Sequence, residues 1–136
     1  MGKQSKDQAT ADAFANSWNS LPAGSVYTTD QFTDWFSPLG ISDVEGADVL
    51  ELGCGNGSLM IHVLDWRPNH LHGIELGSAI QSAHRNLDLS AYHNWSLEHA
   101  DLVSYNGGGY DIVYCIGVLH HLQNPSAGFA AVLANV

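Results

Sequence analysis

Residues 49–59 have the sequence VLELGCGNGSL, an apolar run that leads into three alternating glycines and then into an amphipathic segment. This order predicts a β-strand, a tight turn and a helix, the arrangement by which a parallel sheet presents its backbone to a nucleotide-like ligand. Gly53 and Gly55 can adopt backbone angles that other residues avoid, and Gly57 is expected to let the first helical turn approach the ligand. Because Ser58 stands where nicotinamide-binding turns have their third glycine, the spacing disfavours a dinucleotide. A purely structural tight turn is the alternative explanation.

The composition limits the class of protein and its partners. The chain has 136 residues, of which 45% are hydrophobic, and this suits one domain with one core. Four Lys and Arg against fourteen Asp and Glu give a net charge of -10, which repels phosphate backbones and anionic lipids. We therefore expect no nucleic acid and no membrane partner. The apolar runs are too short to span a membrane and the N-terminus has no signal-peptide core, so we expect a cytoplasmic protein with reduced cysteines.

From residue 48 onward the pattern alternates strands with helices, which is typical of a doubly wound α/β sheet with right-handed crossovers. The predicted strands are residues 48–53, 71–76, 95–99 and 110–116, and the predicted helices are residues 57–66, 78–88 and 124–135. A sheet that ended on the fourth of these strands would expose a long apolar edge. We therefore expect a truncated domain, or a second copy or partner protein that covers this edge.

Residues 1–47 are expected to form a helical leader in front of the sheet. A first helix is followed by a second that is capped by Thr28 or Thr29 and carries Phe32, Trp35 and Phe36 on one face. Aromatic residues at helical spacing are usually buried anchors, but this leader is also a candidate lid over a ligand. The sequence leaves both roles open.

Two acids follow the second and third predicted strands. Glu75 lies about 20 residues beyond the glycines, where a carboxylate can accept both hydroxyls of a ribose; helix capping or solvation is the alternative. Asp101 can accept a hydrogen bond from the amino group of an adenine, while the backbone N–H of Leu102 donates to a ring nitrogen. On its own, Asp101 would be an ordinary loop acid.

Taken in order, these segments resemble the successive motifs of class I S-adenosylmethionine-dependent methyltransferases. The matching segments are residues 49–57, Glu75, residues 100–102, and residues 110–122 with the sequence YDIVYCIGVLHHL. The resemblance covers residues 48–136 and implies a Rossmann-like domain that binds S-adenosylmethionine, with a mostly parallel sheet in the strand order 3-2-1-4. Family members usually continue into further strands, so we expect the C-terminal strands of the fold to be missing.

The resemblance also implies the roles of individual residues. Glu51 would help to hold the methionine ammonium of S-adenosylmethionine, Glu75 the ribose and Asp101 the adenine, with S-adenosylhomocysteine as the product. Trp18 and Tyr27 occupy positions that often fold over the cofactor in similar enzymes, so they are expected to form a lid or to contact the substrate. The expected cofactor-binding residues are Glu51, Gly53, Cys54, Gly55, Asn56, Gly57, Glu75, Leu76, Asp101, Leu102, Cys115 and Ile116.

His120 and His121 follow the fourth predicted strand and are candidates for a general base that takes a proton from the methyl acceptor. Packing or helix capping is the alternative role for each. Cys54 and Cys115 do not combine with these histidines into the spacing of a zinc site, so we expect no metal.

The expected function is methyl transfer to a small-molecule acceptor, carried out by this chain or by a longer protein of which it is the cofactor-binding N-terminal part. Such an in-line transfer requires alignment and exclusion of water, and no covalent nucleophile. An alternative is a non-catalytic or regulatory module that binds S-adenosylmethionine or S-adenosylhomocysteine and is completed by a partner. A nucleotide-dependent oxidoreductase is the third candidate, which Ser58 disfavours.

Overall fold

The computed structural model describes residues 4–136, so the first three residues of the predicted leader lie outside it. At its centre is a four-stranded parallel sheet in the order β3-β2-β1-β4, which confirms the predicted order and the Rossmann-like class. The strands are β1 (Asp48–Leu52), β2 (His70–Glu75), β3 (Trp95–His99) and β4 (Ile112–Tyr114). β4 is shorter than predicted because only its three residues pair with β1, after which the backbone turns at Gly117 with a φ of 74°.

Six α-helices and one 3₁₀ helix surround the sheet within residues 4–136. Their bounds are α1 (Lys6–Asn19), α2 (Thr29–Phe36), α3 (Ile41–Val44), α4 (Ser58–Asp65), α5 (Ala79–Asp88), α6 (Pro125–Ala134) and the 3₁₀ helix Leu119–His121. The sequence pattern did not predict α3 or the 3₁₀ helix, since neither is long enough to show a hydrophobic period. None of the described helices is long and apolar enough to cross a membrane.

Local hydrogen bonds explain where two of the helices begin. The Thr28 hydroxyl accepts from the backbone N–H of Gln31 (3.1 Å), and the Gln31 side chain accepts from the backbone N–H of Thr28 (2.9 Å), which is a capping box for α2. The Asn124 side chain accepts from the backbone N–H of Ala127 (3.1 Å) and caps α6, with Pro125 in the first turn.

Apolar side chains cover both faces of the sheet. On one face, Val49 and Leu71 pack against α4 and against Phe32 and Phe36 of α2. Phe32 and Phe36 are 1% and 4% exposed, and complete burial of such a side chain stabilises a fold by about 1.5–3 kcal/mol. On the other face, a second core cluster that includes Leu50 packs against α6. The second helix of the leader therefore belongs to the core through Phe32 and Phe36, whereas Trp35, predicted on the same face, is half-exposed.

Candidate functional site

A cleft opens at the carboxyl ends of the strands, between the glycine turn, the ends of β2 and β3, the loop after β4, and α1. We call it the main cleft. Among the predicted site residues, those that line it are Trp18, Gly53, Gly55, Glu75, Leu76, Asp101, Leu102 and His121. The predicted residues that do not line it are Tyr27, Glu51, Cys54, Asn56, Gly57, Cys115, Ile116 and His120.

Two glycines of the turn allow other segments to approach it closely. Gly53 has a φ of 81°, and a Cβ atom placed on it would lie 2.7 Å from Cγ2 of Val118. Gly55 has a φ of 54°, and a Cβ atom there would lie 3.5 Å from Nε1 of Trp18. These backbone angles favour glycine at both positions, and at Gly53 the missing side chain also leaves room for Val118 in the loop after β4.

The remainder of the turn supports its own structure. Oδ1 of Asn56 accepts hydrogen bonds from the backbone N–H (3.1 Å) and the hydroxyl (2.6 Å) of Ser58, the first residue of α4. Gly57 has a φ of 79° and faces Ala83 and Leu87 of α5, where a Cβ atom would lie 3.5 Å and 3.6 Å from their side chains. The Cα of Gly57 therefore packs against α5.

Glu75 is held at the floor of the main cleft by backbone donors. Its Oε1 accepts from the N–H of Gly55 (3.0 Å), and its Oε2 accepts from the N–H of Gly77 (2.6 Å). Burial raises the pKa of Glu75, while hydrogen bonds from the backbone, including those of Gly77 and Gly55, lower it. The carboxyl group thus fixes the glycine turn and retains further acceptor capacity towards the cleft.

Asp101 lies beside Glu75 because the strands are parallel and end at the same edge of the sheet. The N–H of Ala100 donates to the backbone carbonyl of Glu75 (3.1 Å), which extends the pairing of β2 with β3 to this point. Oδ1 of Asp101 accepts from the N–H of Val103 (3.0 Å), which fixes the side chain within its loop. Asp101 and Leu102 therefore form one end of the main cleft.

Glu51 lies in β1 directly before the glycine turn and is 2% exposed. The hydroxyl of Tyr114, on the neighbouring strand β4, donates to its Oε2 (2.8 Å). Burial raises the pKa of Glu51 from its ordinary value of 4.5 to about 8, the hydrogen bond from Tyr114 lowers it, and the charge of Glu75 raises it. A buried carboxylate without a cation is costly, so this acid favours its protonated form near neutral pH.

Both cysteines are free thiols that face the core and not the main cleft. Sγ of Cys54 would lie 3.1 Å from a Cβ atom on Gly73, next to the sulfur of Met60. Burial and the nearby charge of Glu51 raise the pKa of Cys54 well above its ordinary range and that of Cys115 to about 12. Thiolate chemistry is therefore disfavoured at either position.

Helix α1 lies across the main cleft. Nε2 of Gln8 donates to the backbone carbonyl of Leu76 after β2 (3.1 Å), and Oδ1 of Asp7 accepts from the N–H of Gln123 before α6 (2.8 Å). A Cβ atom on Gly77 would lie 2.8 Å from the backbone oxygen of Ala11 in α1. Sequence reasoning missed Asp7, Gln8 and Ala11, and only the glycine at position 77 marks this close approach.

The two candidate histidines differ in position. His121 lines the main cleft, and its ring packs edge-on against Phe14 of α1 with a centroid distance of 4.8 Å. His120 is exposed and lies outside the main cleft. The centroids of the His120 and His121 rings are 3.9 Å apart.

A second opening lies beside the main cleft. We call it the side cleft, and it is lined by Tyr27, Trp35, Leu59, Ile116 and Gly117. Gly117 also lines the main cleft, so the two openings meet at the loop after β4. The rings of Tyr27 and Trp35 meet edge-on with a centroid distance of 5.0 Å, which gives the side cleft an aromatic wall.

The donor set suits an organic cation with a ribose better than a metal ion. Glu51 is a buried carboxyl group beside the glycine turn, and Glu75 and Asp101 line the cleft. In the described residues, no group of three or more His, Cys, Asp or Glu side chains is arranged to hold a metal ion.

Comparison with known proteins gives one family match and a set of relatives. The model of a family described as "Methyltransferase domain" matches residues 50–136. A tRNA U34 carboxymethyltransferase from Nautilia profundicola is 28% identical over 90 residues, which cover 61% of this chain and 28% of that protein. The chain thus spans less than a third of the length of this curated relative.

Solved structures agree with the fold. Magnesium protoporphyrin IX methyltransferase from Synechocystis with bound S-adenosylmethionine superposes with a TM-score of 0.62 at 23% identity, covering 96% of this chain and 55% of that one. An S-adenosylmethionine-dependent methyltransferase from Thiobacillus denitrificans, in complex with S-adenosylhomocysteine, gives a TM-score of 0.65 at 17% identity. The match covers 90% of this chain and 49% of that one. At these identities the likeness shows the Rossmann-like fold and nothing finer.

Proposed function

Because the chain belongs to the methyltransferase domain family, we propose that its main cleft binds S-adenosylmethionine and that the methyl group passes to a small-molecule acceptor. The observation that carries this proposal is the pairing of Glu75 with the glycine turn, beside Asp101 at the end of the next strand. Two acids at neighbouring strand ends suit a ribose and an exocyclic amino group. When bound, the cofactor supplies an electrophilic methyl group on a sulfonium.

The residues of the chain divide the binding between them. Glu75 accepts hydrogen bonds from the ribose hydroxyls, and Asp101 with Leu102 recognises the adenine. Glu51 provides negative charge for the methionine ammonium. This cation offsets the free-energy cost of the buried Glu51 carboxylate. The backbone of Gly53 and Gly55 permits close contact with the cofactor.

Helix α1 acts as a lid in this proposal. Trp18 lies against Gly55, and Gln8 binds the carbonyl of Leu76, so α1 separates the main cleft from water. Exclusion of water and alignment of the two reactants are the main tasks of an enzyme in an in-line methyl transfer.

The side cleft is the proposed acceptor site. It meets the main cleft at Gly117, and Tyr27 contributes to its aromatic wall. Its aromatic and aliphatic lining suits an acceptor that is partly apolar. Of the two histidines, His121 is the candidate general base because it lines the main cleft.

A tRNA acceptor is the second candidate, because the Nautilia relative is named as a tRNA-modifying enzyme. The charge of this chain supports the small molecule instead. The net charge is -10, and two of the four basic residues are engaged: Arg67 with Glu45 (2.9 Å) and Arg85 with Ser82 (2.9 Å). Binding of a polyanion normally relies on many free Lys and Arg side chains.

Calorimetric titration tests the cofactor. We expect S-adenosylhomocysteine to bind with a stoichiometry of one and NAD to give no saturable heat. Binding of NAD alone would overturn the assignment and would favour an oxidoreductase.

A labelling experiment separates the candidate acceptors. The chain is incubated with methyl-tritiated S-adenosylmethionine and with separate small-molecule, RNA and protein fractions of a cell extract, with Glu75→Ala as the control for dependence on the main cleft. We expect label in the small-molecule fraction. Label in the RNA fraction would support the tRNA acceptor, and binding of S-adenosylhomocysteine without any transfer would support a non-catalytic module.

A further inference from the structure

Glu51 has an unusual environment for an acid. It is 2% exposed, and the only hydrogen bond that the described residues give to its side chain comes from the neutral hydroxyl of Tyr114. Tyr114 is itself buried, and its ring packs edge-on against Phe36 of α2 with a centroid distance of 5.0 Å. The phenol is thus fixed by the core and can hold the carboxyl group in one orientation.

The titratable groups around Glu51 come from four parts of the chain. Burial and the charge of Glu51 raise the pKa values of Tyr27 in the leader, of Tyr114 and of Cys115. The thiol of Cys54 in the glycine turn is affected in the same way. These four groups therefore stay neutral near pH 8, and Glu75 is the remaining acid whose charge acts on Glu51.

We propose that Tyr114 is a positioning residue that holds the Glu51 carboxyl group under the glycine turn, and that binding of a ligand with an ammonium group displaces the proton of Glu51 to solvent. This inference rests on the proposed function, because the ammonium is that of the cofactor. Its geometric basis is the pairing of β1 with β4, which places Glu51 opposite Tyr114. Ligand affinity then rises with pH until Glu51 is ionised in the free protein.

The first test follows Glu51 in the free protein and needs no ligand. The chain has four glutamates, so ¹³C-carboxyl labelling of Glu gives a simple NMR spectrum, which variants of each glutamate assign. We expect the Glu51 signal to titrate with a midpoint near 8. Tyr114→Phe removes the donor that favours the carboxylate, so its midpoint should move up by about one pH unit.

Tyr110→Phe is the matched control for this titration. Its hydroxyl lies 3.0 Å from that of Tyr105 in the core cluster on the opposite face of the sheet. We expect no change in the Glu51 midpoint. A Tyr114→Phe variant that is folded and leaves the midpoint unchanged would overturn the positioning role.

The second test measures protons in the wild-type chain and does not depend on any variant. Calorimetry of S-adenosylhomocysteine at pH 7, in two buffers of different ionisation enthalpy, should show release of close to one proton per ligand. Methylthioadenosine, which keeps the adenosine and lacks the ammonium, should release none. Binding of S-adenosylhomocysteine without proton release would refute the inference and leave the proposed function intact, whereas absence of binding would refute the function.

Discussion

The ends of β1 and β2 each carry a glutamate, and the two acids have different partners. Glu75, at the end of β2, accepts from two backbone N–H groups and lines the main cleft. Glu51, in β1, is almost completely buried and accepts from one phenol. Hydrogen bonds from the backbone offset part of the effect of burial, which raises the pKa of Glu75, whereas a single neutral donor leaves Glu51 protonated near neutral pH. Glu75 is therefore suited to accept hydrogen bonds from neutral hydroxyls, and Glu51 is suited to bind a cation.

The largest expected effect is on stability, and it comes from Glu51→Gln. The pKa of Glu51 is raised from 4.5 to about 8, so between these pH values the native state binds more protons than the unfolded state. The free energy of unfolding therefore falls as the pH rises through this range. The loss that this residue contributes is up to about 1.4 kcal/mol per pH unit, or roughly 3–4 kcal/mol between pH 5 and pH 8. Glu51→Gln should not show this decrease in the free energy of unfolding, because glutamine does not ionise.

Urea unfolding of both proteins at pH 5, 6, 7 and 8 measures this difference. The pKa of Glu75 is also raised and Glu75 is present in both proteins, so the difference between the two curves reports Glu51 together with its electrostatic coupling to Glu75. Parallel stability curves would show that Glu51 is ionised throughout and would remove the contrast between the two acids.

The next effect is on ligand affinity. Glu75→Ala should weaken binding of S-adenosylhomocysteine by about 1.5–3 kcal/mol, or roughly 10- to 150-fold, because hydrogen bonds from the ribose to a charged acceptor are lost. The matched control is Glu98→Ala, which removes an exposed glutamate on β3. Calorimetry on the folded proteins measures the affinity for S-adenosylhomocysteine. Equal affinities of Glu75→Ala and the wild type would contradict the ribose role.

The smallest effect concerns the lid that covers both acids. Trp18→Ala should weaken binding of S-adenosylhomocysteine by about 1 kcal/mol, roughly fivefold, and should mainly raise the dissociation rate, because the ring that covers Gly55 is lost. Trp35→Ala removes a half-exposed indole of the side cleft and is the control. Stopped-flow fluorescence that showed the larger change for Trp35→Ala would argue against α1 as the lid.

The position of Glu75 could be predicted from the sequence, whereas the partner of Glu51 could not. Glu75 follows a short apolar run, and parallel strands end at one edge of a sheet, so a local pattern sufficed. The contact between Glu51 and Tyr114 joins residues 63 positions apart and depends on the pairing of β1 with β4. No local signal in the sequence specifies which residue lies opposite Glu51 across that pair.

The docking of helix α1 also could not be predicted from the sequence. Its sequence carries a weak apolar face, and Ala15 is its one buried residue, so its pattern gave no direction for docking. The long apolar run of residues 110–116 predicted a strand that is longer than β4, because apolar composition does not reveal where pairing ends. Cys115 and Ile116 follow the last paired residue and are partly buried without belonging to the sheet.

The most direct test of the division between the two acids is a calorimetric comparison of two variants with two ligands. Glu75→Ala and Glu51→Gln are each titrated with S-adenosylhomocysteine and with methylthioadenosine, which keeps the ribose and lacks the ammonium. If the two acids divide the ligand in this way, Glu75→Ala weakens binding of both ligands, whereas Glu51→Gln weakens binding of S-adenosylhomocysteine alone. Equal weakening of both ligands by both variants, or no effect of Glu51→Gln on either ligand, would contradict this division.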